Sequence, residues 1–328
     1  MHMRIGLQPL TLLDSHVVAL GIETMRNTFP AGGNLNMLAQ TLDQYPLLDF
    51  ITVCQTTYPD GLATWRSRMR EVVGVMVGRV KRIQLGNELF ITSAQGDNWT
   101  GTPREFAETF DVFVQEVYRA DPSMIVVTPG LCSGCIEARS ERAEDLLRLP
   151  RRYPEAPMEV DGHIYRGWQT AASHVEWAEE ASGRAVIVTE CAAYTAGGVM
   201  QLFATLSGAG ATDVLYHALT LVATDTPPFQ AQSLLDGGKE SPRYWGVKTW
   251  TQTVKERCIP VSLADGLYYY KAGNVYVLWA DSSRPVTIPI HTRRADRIDP
   301  IGGVSPLPVR QHEVRFMVGT EPCYVVER

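Results

Sequence analysis

The sequence has no excess of basic residues and no long apolar run. Its 36 aspartate and glutamate residues outnumber its 30 lysine and arginine residues, which gives a formal net charge of −6. Nucleic acid and anionic membrane surfaces favour a basic face on their partners, so we expect neither as a partner. No apolar stretch reaches the ~20 residues that a membrane-spanning helix needs. A neutral or cationic small substrate is compatible with this balance.

Cysteine is also scarce. The six cysteines are spread along the chain, at a density too low for a scaffold held by disulfides. Cys132 and Cys135 form a single CxxC pair, and one pair without a second is weak support for a zinc or redox site. We therefore interpret both residues as ordinary thiols in a loop, and we expect neither a metal nor a cofactor.

The first residues lack a basic stretch followed by an apolar one, which is the pattern of a cleaved leader. Instead the chain enters a strand-like run almost at once, over residues 4–9. The default expectation is a cytoplasmic protein. A secreted form whose leader has been removed is the alternative.

What the sequence does contain is a long alternation of short β-branched runs with helix-like segments. Eight such units follow one another over residues 1–257, and apolar residues make up 45 % of the chain, enough for a large core. Eight strand–helix units in this order predict a (β/α)8 TIM barrel. A doubly wound sheet is the competing arrangement, but it usually carries a glycine-rich phosphate turn, and neither GxGxxG nor a P-loop occurs in the sequence.

The pattern changes after residue 257. Aromatic and β-branched residues then alternate over short runs, and Ala272, Gly273 and Asn274 have the composition of a hairpin turn. We therefore predict two domains: a barrel over residues 1–257 and a small accessory all-β domain, a sheet or sandwich, over residues 258–328.

Two glutamates stand at the ends of predicted barrel strands, where such barrels carry their catalytic groups. Glu88 ends the run IQLGNE, and Glu190 ends the run VIVTE three strand–helix units later. Strands four and seven face each other across a barrel mouth, so we expect the two carboxylates to lie within a few ångströms. Two carboxylates around one bond are the usual apparatus of glycoside hydrolysis, because one donates a proton while the other attacks or supports the sugar.

The ordered set of LGNE, HIY and TE at the ends of strands four, six and seven resembles the clan A glycoside hydrolases, which are retaining (β/α)8 glycosidases. The resemblance covers residues 4–255. It implies a double displacement with Glu88 as general acid/base and Glu190 as nucleophile. It also implies supporting roles for Asn87 at the sugar 2-hydroxyl, for Arg26 at the end of strand two, and for Tyr165 and His163 beside the nucleophile.

Physical chemistry predicts the same division of roles. An arginine near Glu190 would lower the pKa of that carboxyl and keep it ionised. Glu88, beside the neutral Asn87 and expected to lie among apolar walls, would keep its proton at neutral pH.

Five further residues are candidate sugar contacts. Gln55 ends strand three, where members of the clan usually have histidine or asparagine, and Tyr216 and His217 end strand eight, where many have tryptophan. Trp99 and Trp168 fall in the loops after strands four and six, and a tryptophan ring can stack on the apolar face of a pyranose. The implied substrate is an oligosaccharide or polysaccharide with β-glycosidic bonds.

Two other functions fit the same residues. Glu88, His163, Glu190 and His217 are of types that bind divalent cations, so a metal-dependent hydrolase or isomerase barrel is one alternative. The absence of HxH and HExxH spacings from the sequence argues against it. A carbohydrate-binding barrel whose glutamates bind without catalysis is the other.

Overall fold

The computed structural model of this protein describes residues 2–8, 14–89, 99–132, 141–165, 167–219, 233–263 and 265–328. Eight parallel strands within these residues close into a barrel in chain order, and the eighth pairs with the first. The arrangement confirms the barrel that the sequence pattern predicts. The strands are β1 (Arg4–Leu7), β2 (Thr24–Pro30), β3 (Leu48–Cys54), β4 (Arg82–Leu85), β5 (Ile125–Val127), β6 (Met158–Ile164), β7 (Val186–Cys191) and β8 (Asp213–Tyr216).

Helices alternate with the strands around the barrel. A short ribbon, β9 (Leu235–Asp236) and β10 (Lys239–Glu240), precedes the last of them. No helix in the described part of the chain has both the length and the apolar character needed to cross a membrane. The helices are α1 (Asp14–Leu20), α2 (Leu35–Gln44), α3 (Leu62–Met76), α4 (Pro103–Ala120), α5 (Glu141–Leu147), α6 (Ala171–Ser182), α7 (Ala196–Ala209) and α8 (Pro242–Thr253).

The long helix α4 shows why the local sequence starts a helix where it does. The Thr102 hydroxyl accepts a hydrogen bond from the Glu105 backbone N–H at 3.2 Å, and the Glu105 carboxylate accepts one from the Thr102 N–H at 2.7 Å. Pro103 occupies the first helical turn, where its missing N–H costs nothing. The letters TPRE therefore predict this helix start, and the structure confirms it.

Charged side chains close the floor of the barrel. Arg82 lies 2.5 Å from Glu159 and 2.8 Å from Asp213, and Asp213 also lies 2.6 Å from Arg4. These residues stand at or next to the starts of their strands, so the network lies opposite the mouth. A separate apolar cluster fills the interior of the barrel, and its main members are Phe50, Val127, Ile187 and Leu215.

The C-terminal strands form the all-β domain that the sequence predicts. A six-stranded sheet has the order β11-β12-β13-β18-β15-β16, and β14 pairs with β17. The predicted hairpin turn joins β12 to β13, with Ala272 opposite Val275. The strands are β11 (Ile259–Ser262), β12 (Leu267–Ala272), β13 (Val275–Ala280), β14 (Arg284–Pro289), β15 (Ala295–Ile298), β16 (Val304–Leu307), β17 (Glu313–Val318) and β18 (Cys323–Glu327).

Aromatic side chains join this domain to the flank of the barrel. Tyr324 of β18 packs against Trp250 of α8 with ring centroids 6.3 Å apart. The Tyr270 hydroxyl of β12 lies 3.5 Å from the Thr205 hydroxyl of α7. Trp250, Tyr270 and Tyr324 belong to the main hydrophobic core, which therefore runs from the barrel into the β-domain.

Strand β2 runs from Thr24 to Pro30, so Arg26, which the resemblance places at the end of strand two, lies within the strand. Its register against β3 shifts between Met25 and Arg26, and Arg26 is completely buried. A charged side chain stays inside the barrel because acceptors surround it there.

The floor network generates a stability prediction. Arg82→Ala leaves the buried carboxylates of Glu159 and Asp213 without their main counter-charge, so we expect a loss of ~3–5 kcal/mol in the free energy of unfolding. Urea denaturation monitored by circular dichroism measures it. Arg104→Ala, which removes an exposed pair with Glu108 on α4, is the control and should cost at most ~0.5 kcal/mol. Equal losses in both variants would contradict this view of the floor.

Candidate active site

The Arg26 guanidinium occupies the centre of the barrel mouth. The side chain is completely buried, and each of its five N–H groups has an acceptor at 2.6–2.8 Å. Because the Asn87 oxygen accepts from Arg26, the amide NH2 is the group that Asn87 can offer to a ligand. A single cation thus organises the mouth through the side-chain oxygens of Gln8, Thr52, Gln84, Asn87 and Glu190.

The Glu190 carboxylate is buried near the C-terminal end of β7, and each of its two oxygens accepts a hydrogen bond. It accepts hydrogen bonds from Arg26 at 2.8 Å and from the Tyr165 hydroxyl at 2.5 Å. Burial alone would raise the pKa of this carboxyl. Electrostatic interactions with His163, His217 and Arg26, together with the Tyr165 hydrogen bond, instead hold the pKa well below its ordinary value. Glu190 is therefore ionised at neutral pH.

Glu88 follows β4 in a backbone conformation that is unusual for a residue with a side chain. Its φ angle is +46°, in the left-handed region. Its backbone N–H donates to the Gly130 carbonyl at 3.0 Å, and the preceding Asn87 forms a β-bridge with Gly130. The side chain is 16 % exposed, against 8 % for that of Glu190. The loop after β5 thus fixes Glu88 at the more open side of the pair.

His163 connects the two carboxylates. Its Nδ1 lies 2.7 Å from Glu88 Oε1 and 3.4 Å from Glu190 Oε2, while Nε2 lies 3.2 Å from the Thr189 hydroxyl. Burial alone would lower the pKa of this histidine. The negative charges of Glu190 and Glu88, and hydrogen bonds to Asp161 and Glu88, raise the pKa well above its ordinary value. Both ring nitrogens face oxygen acceptors, as an imidazolium requires.

This arrangement corrects one expectation about Glu88. The sequence analysis places apolar walls around its carboxyl group, which would favour the protonated form. The structure places the His163 ring against that group instead, at 2.7 Å. The error arose because His163 reaches Glu88 from a strand 75 residues further along the chain, and no local pattern records that contact.

The His163 ring has room only because residue 130 is glycine. A Cβ atom at Gly130 would lie 2.4 Å from His163 Nε2 and 2.9 Å from Asp161 Oδ2, both far inside contact distance. The main chain after β5 therefore passes directly against the imidazole. The Gly130 carbonyl also accepts the hydrogen bond from the Glu88 backbone N–H. One glycine therefore positions both members of the Glu88–His163 pair.

A buried aspartate, which the sequence analysis missed, supports His163 from below. Asp161 accepts hydrogen bonds from the Thr189 hydroxyl at 2.6 Å and from the Gln84 amide at 2.8 Å, and it lies 3.5 Å from His163 Nε2. Burial alone would raise the pKa of Asp161, but the His163 and Arg26 charges and these donors lower it. The imidazolium is thus held between carboxylates on both of its nitrogens.

The missed residues share a signal in the sequence. Gln84 stands between Ile83 and Leu85 in β4, and Asp161 stands between Val160 and Gly162 in β6. A polar residue inside an otherwise apolar strand usually has hydrogen-bond partners in the core. Four residues of the mouth that were missed lie inside strands, namely Thr52, Gln84, Asp161 and Thr189, and a fifth, Gln8, directly follows β1.

Three predicted sugar contacts lie elsewhere in the fold. Trp99 is buried, donates its indole N–H to the Thr102 carbonyl at 3.1 Å and closes the start of α4. Tyr216 is completely buried, and its hydroxyl donates to the Ala193 carbonyl at 2.9 Å. The Gln55 amide donates to the Thr57 carbonyl within its own loop at 2.6 Å. Neither buried ring has surface to offer a sugar, because Trp99 packs on Phe106 of α4 and Tyr216 is completely enclosed.

Two other predicted contacts lie beside the pair. His217 follows β8, and its ring packs edge-on against Tyr165 with centroids 6.1 Å apart. Its Nδ1 is buried and has no hydrogen-bond partner among the described residues. Trp168 follows β6 and lines a cavity together with Tyr165. The structure therefore brings Arg26, Asn87, Glu88, His163, Tyr165, Glu190 and His217 together at the mouth, with Trp168 next to them.

One trio at the mouth has the composition of a metal site. Single donor atoms of Glu88, His163 and Glu190 all lie within 4.8 Å of one another. The chemistry of these donors fits a cation poorly. Both Glu190 oxygens already accept from Arg26 and Tyr165, and His163 Nδ1 lies within hydrogen-bonding distance of Glu88 Oε1, at 2.7 Å. The trio is better suited to moving a proton.

Comparison with known proteins shows the fold. The sequence matches no model of a protein family and no curated protein. Solved structures do match: a family 39 glycoside hydrolase from Bacteroides cellulosilyticus has 13 % identity and a TM-score of 0.71, covering 100 % of this chain and 81 % of its own. A monomeric β-xylosidase from Caulobacter crescentus has 14 % identity and a TM-score of 0.67, covering 95 % and 90 %.

A glucosidase from Croceicoccus marinus has 10 % identity and a TM-score of 0.64, covering 100 % of this chain and 95 % of its own. These matches include the β-domain as well as the barrel, because they extend over nearly the whole chain. The resemblance to clan A barrels is thereby confirmed for the fold. Identities this low leave the roles of individual residues to the chemistry of the site.

The charge of His163 can be tested directly. We expect its ring to stay doubly protonated at pH 7, because carboxylates flank it, and we expect Glu190→Gln to lower its pKa by removing one of them. Imidazole nitrogen shifts in ¹⁵N-labelled protein report this, with the exposed His312 as internal reference. A neutral His163 ring at pH 7 in the unaltered protein would contradict it.

The same shift has a consequence for stability. The folded-state pKa of His163 exceeds the unfolded value of ~6.5. The charged His163 ring therefore makes its full contribution to stability at pH values below the unfolded-state pKa. That contribution is lost as the pH rises through the folded-state pKa.

Proposed function

We propose that this protein is a retaining glycoside hydrolase that cleaves β-glycosidic bonds of oligosaccharides or polysaccharides. The observation that carries the proposal is the pair of carboxylates at the mouth, Glu88 and Glu190, with oxygens within 4.8 Å of each other and of one ring nitrogen. Retaining glycosidases hold their carboxyl groups ~5–5.5 Å apart, whereas inverting enzymes leave ~6.5–9.5 Å for a water molecule. An oxygen of each carboxylate within 4.8 Å of an oxygen of the other fits the closer arrangement and supports direct attack by one carboxylate.

Glu190 is suited to the role of nucleophile. Its ionised carboxylate is held by Arg26 and Tyr165, which orient it and keep it free of protons. In the first step one of its oxygens forms a bond to the anomeric carbon. The bond to the leaving oxygen breaks at the same time, and its electron pair stays on that oxygen.

Glu88 is suited to the role of acid and then base. With Glu88 protonated before the first step, the charge of the His163 ring is balanced by Glu190 and Asp161, at 3.4 and 3.5 Å. Glu88 Oε1 accepts from that ring, so Oε2 is the oxygen that carries the catalytic proton to the leaving group. Glu88 is then ionised beside a positive ring. In the second step it takes a proton from water, whose oxygen attacks the anomeric carbon while the bond to Glu190 breaks.

The neighbours of the pair have roles in the same proposal. The amide NH2 of Asn87 donates to the sugar 2-hydroxyl, since the Asn87 oxygen is taken by Arg26. Tyr165 releases its hydrogen bond from Glu190 as the ester forms. The matched structures support the sugar as substrate: their fold is that of enzymes described as a glycoside hydrolase, a β-xylosidase and a glucosidase.

A covalent label tests the assignment of the nucleophile. We expect a panel of dinitrophenyl 2-deoxy-2-fluoro-β-glycosides to leave one sugar on Glu190, because the fluorine slows both steps while the dinitrophenolate leaving group speeds only the first. Intact mass and peptide mapping locate the adduct. Glu190→Ala should take no label and lose hydrolysis, while Glu71→Ala, on the exposed face of α3, should behave as the unaltered protein. An adduct on another residue would overturn the assignment.

The acid/base role of Glu88 has a separate signature. Glu88→Ala should slow hydrolysis of poorly activated glycosides by ~10²–10⁴-fold, since no proton reaches the leaving oxygen. Dinitrophenyl glycosides need no such proton, so the glycosyl-enzyme should accumulate on them and added azide should restore turnover. Equal slowing on both classes of leaving group, without azide rescue, would contradict the role.

Chelation separates this proposal from a metal-dependent barrel. Dialysis against EDTA should leave the hydrolysis of an aryl β-glycoside unchanged, because the donor atoms of the Glu88–His163–Glu190 trio are engaged with protein groups. Activity that falls on dialysis and returns with a divalent cation would favour the metal-dependent alternative. Sugar binding without any turnover, undiminished in Glu190→Ala, would favour a carbohydrate-binding barrel.

A further inference from the structure

A cavity of about 440 Å³ opens beside the catalytic pair, between the segments that follow β6 and β7. Its walls include the rings of Tyr165, Trp168 and Tyr194, and 51 % of Tyr194 is exposed. None of the described residues that line it carries a charge. The volume is within the ~300–1,000 Å³ range of small-molecule sites. A neutral ligand with an apolar face matches these walls.

The cavity adjoins the reaction centre across the side chain of Tyr165. One end of that side chain donates its hydroxyl to Glu190 at 2.5 Å, and its ring lines the cavity. A group in the cavity therefore lies one side chain away from the sugar that Glu190 attacks. The simplest occupant is a further part of the same substrate.

The Trp168 wall is fixed by the β-domain. Its ring packs edge-on against Tyr268 at 4.5 Å and Trp279 at 5.1 Å between centroids, and these two rings stack on each other at 5.2 Å. Gly167 turns the chain with φ +94°, and the Trp168 carbonyl accepts from the Ala171 N–H as α6 begins. The barrel supplies the Trp168 ring, and the accessory domain sets its position.

Resting on the proposed glycosidase function, we propose that this cavity is a subsite for a second, neutral sugar unit of the substrate. Tyr268 and Trp279 act as positioning residues, because they hold the Trp168 ring that receives the sugar. The β-domain is then part of substrate recognition, although none of its residues reaches the catalytic carboxylates.

A sugar fits the cavity better than a charged or wholly apolar group. The C–H face of a pyranose packs on tryptophan and tyrosine rings, while its hydroxyls need polar neighbours at the edges. Tyr194 and Thr195 supply hydroxyl groups at the rim. A uronic acid would bring a negative charge to a wall with no cation among its described residues.

The test compares a substrate that reaches the cavity with one that does not. A β-glycosyl fluoride of the sugar found by labelling fills only the reaction centre, because its leaving group is one atom. The matching β-linked tetrasaccharide also fills the neighbouring subsite. Trp168→Ala and Tyr194→Ala should lower kcat/KM for the tetrasaccharide about tenfold, the effect of one lost aromatic stack, and leave the fluoride within about twofold.

Variants in the β-domain separate positioning from stability. Tyr268→Ala should reproduce the loss in Trp168→Ala, mainly through KM, and Tyr268→Phe should restore it. Tyr269→Ala is the matched control. The Tyr269 ring packs on Tyr276 in an apolar cluster inside the β-domain, which is separate from the main core. This substitution should destabilise that domain without changing the ratio between the two substrates.

The possible failures can be told apart. No turnover of the fluoride in the unaltered protein would count against the proposed glycosidase function itself. Turnover of the fluoride, with equal effects of Trp168→Ala on fluoride and tetrasaccharide, would overturn the subsite. A larger loss on an octyl glycoside than on the tetrasaccharide would show that the cavity receives an apolar aglycone instead, and would also overturn it.

Discussion

The structure of the mouth depends on one buried cation. A guanidinium without contact to water costs several kcal/mol unless every donor is paired, and Arg26 meets that condition with five acceptors. Those acceptors come from the ends of four strands and the turn after β4. The hydrogen bonds that stabilise the buried Arg26 charge therefore also set the positions of Asn87 and Glu190. The Glu190 carboxylate and the Asn87 amide beside it are placed by a requirement of folding, before any ligand binds.

Much of the fold could be predicted from the sequence because it is encoded locally. Short stretches of sequence determine the alternation of strands and helices, the capping box at Thr102 and the turn at Gly273. The two glutamates were found because a carboxylate at the end of an apolar run is a local feature. Contacts across the barrel were not found, since Asp161 and Gln84 meet His163 and Arg26 only after the strands have closed. Tyr216 was misplaced because its direction depends on strand alternation: Leu215 faces inward, so Tyr216 faces out.

The β-domain and the barrel form one aromatic core, in which Trp250, Tyr270 and Tyr324 lie in the same cluster as the barrel helices. Such a seam excludes free rotation of one domain against the other, because it would expose several large rings to water. The loop after β6 is braced by this seam through Trp168. A segment at a barrel mouth, usually the most variable part of the fold, is here fixed by a neighbouring domain.

The ring of His163 lies 2.7 Å from Glu88 and 3.4 Å from Glu190, so the three side chains are coupled electrostatically. Removing either carboxylate changes the proton affinity of the ring. Effects of single substitutions at Glu88, His163 and Glu190 are therefore not multiplicative. In a diverging relative of this chain, the effect of replacing one of these residues on stability or activity would therefore depend on whether another of them had already been replaced.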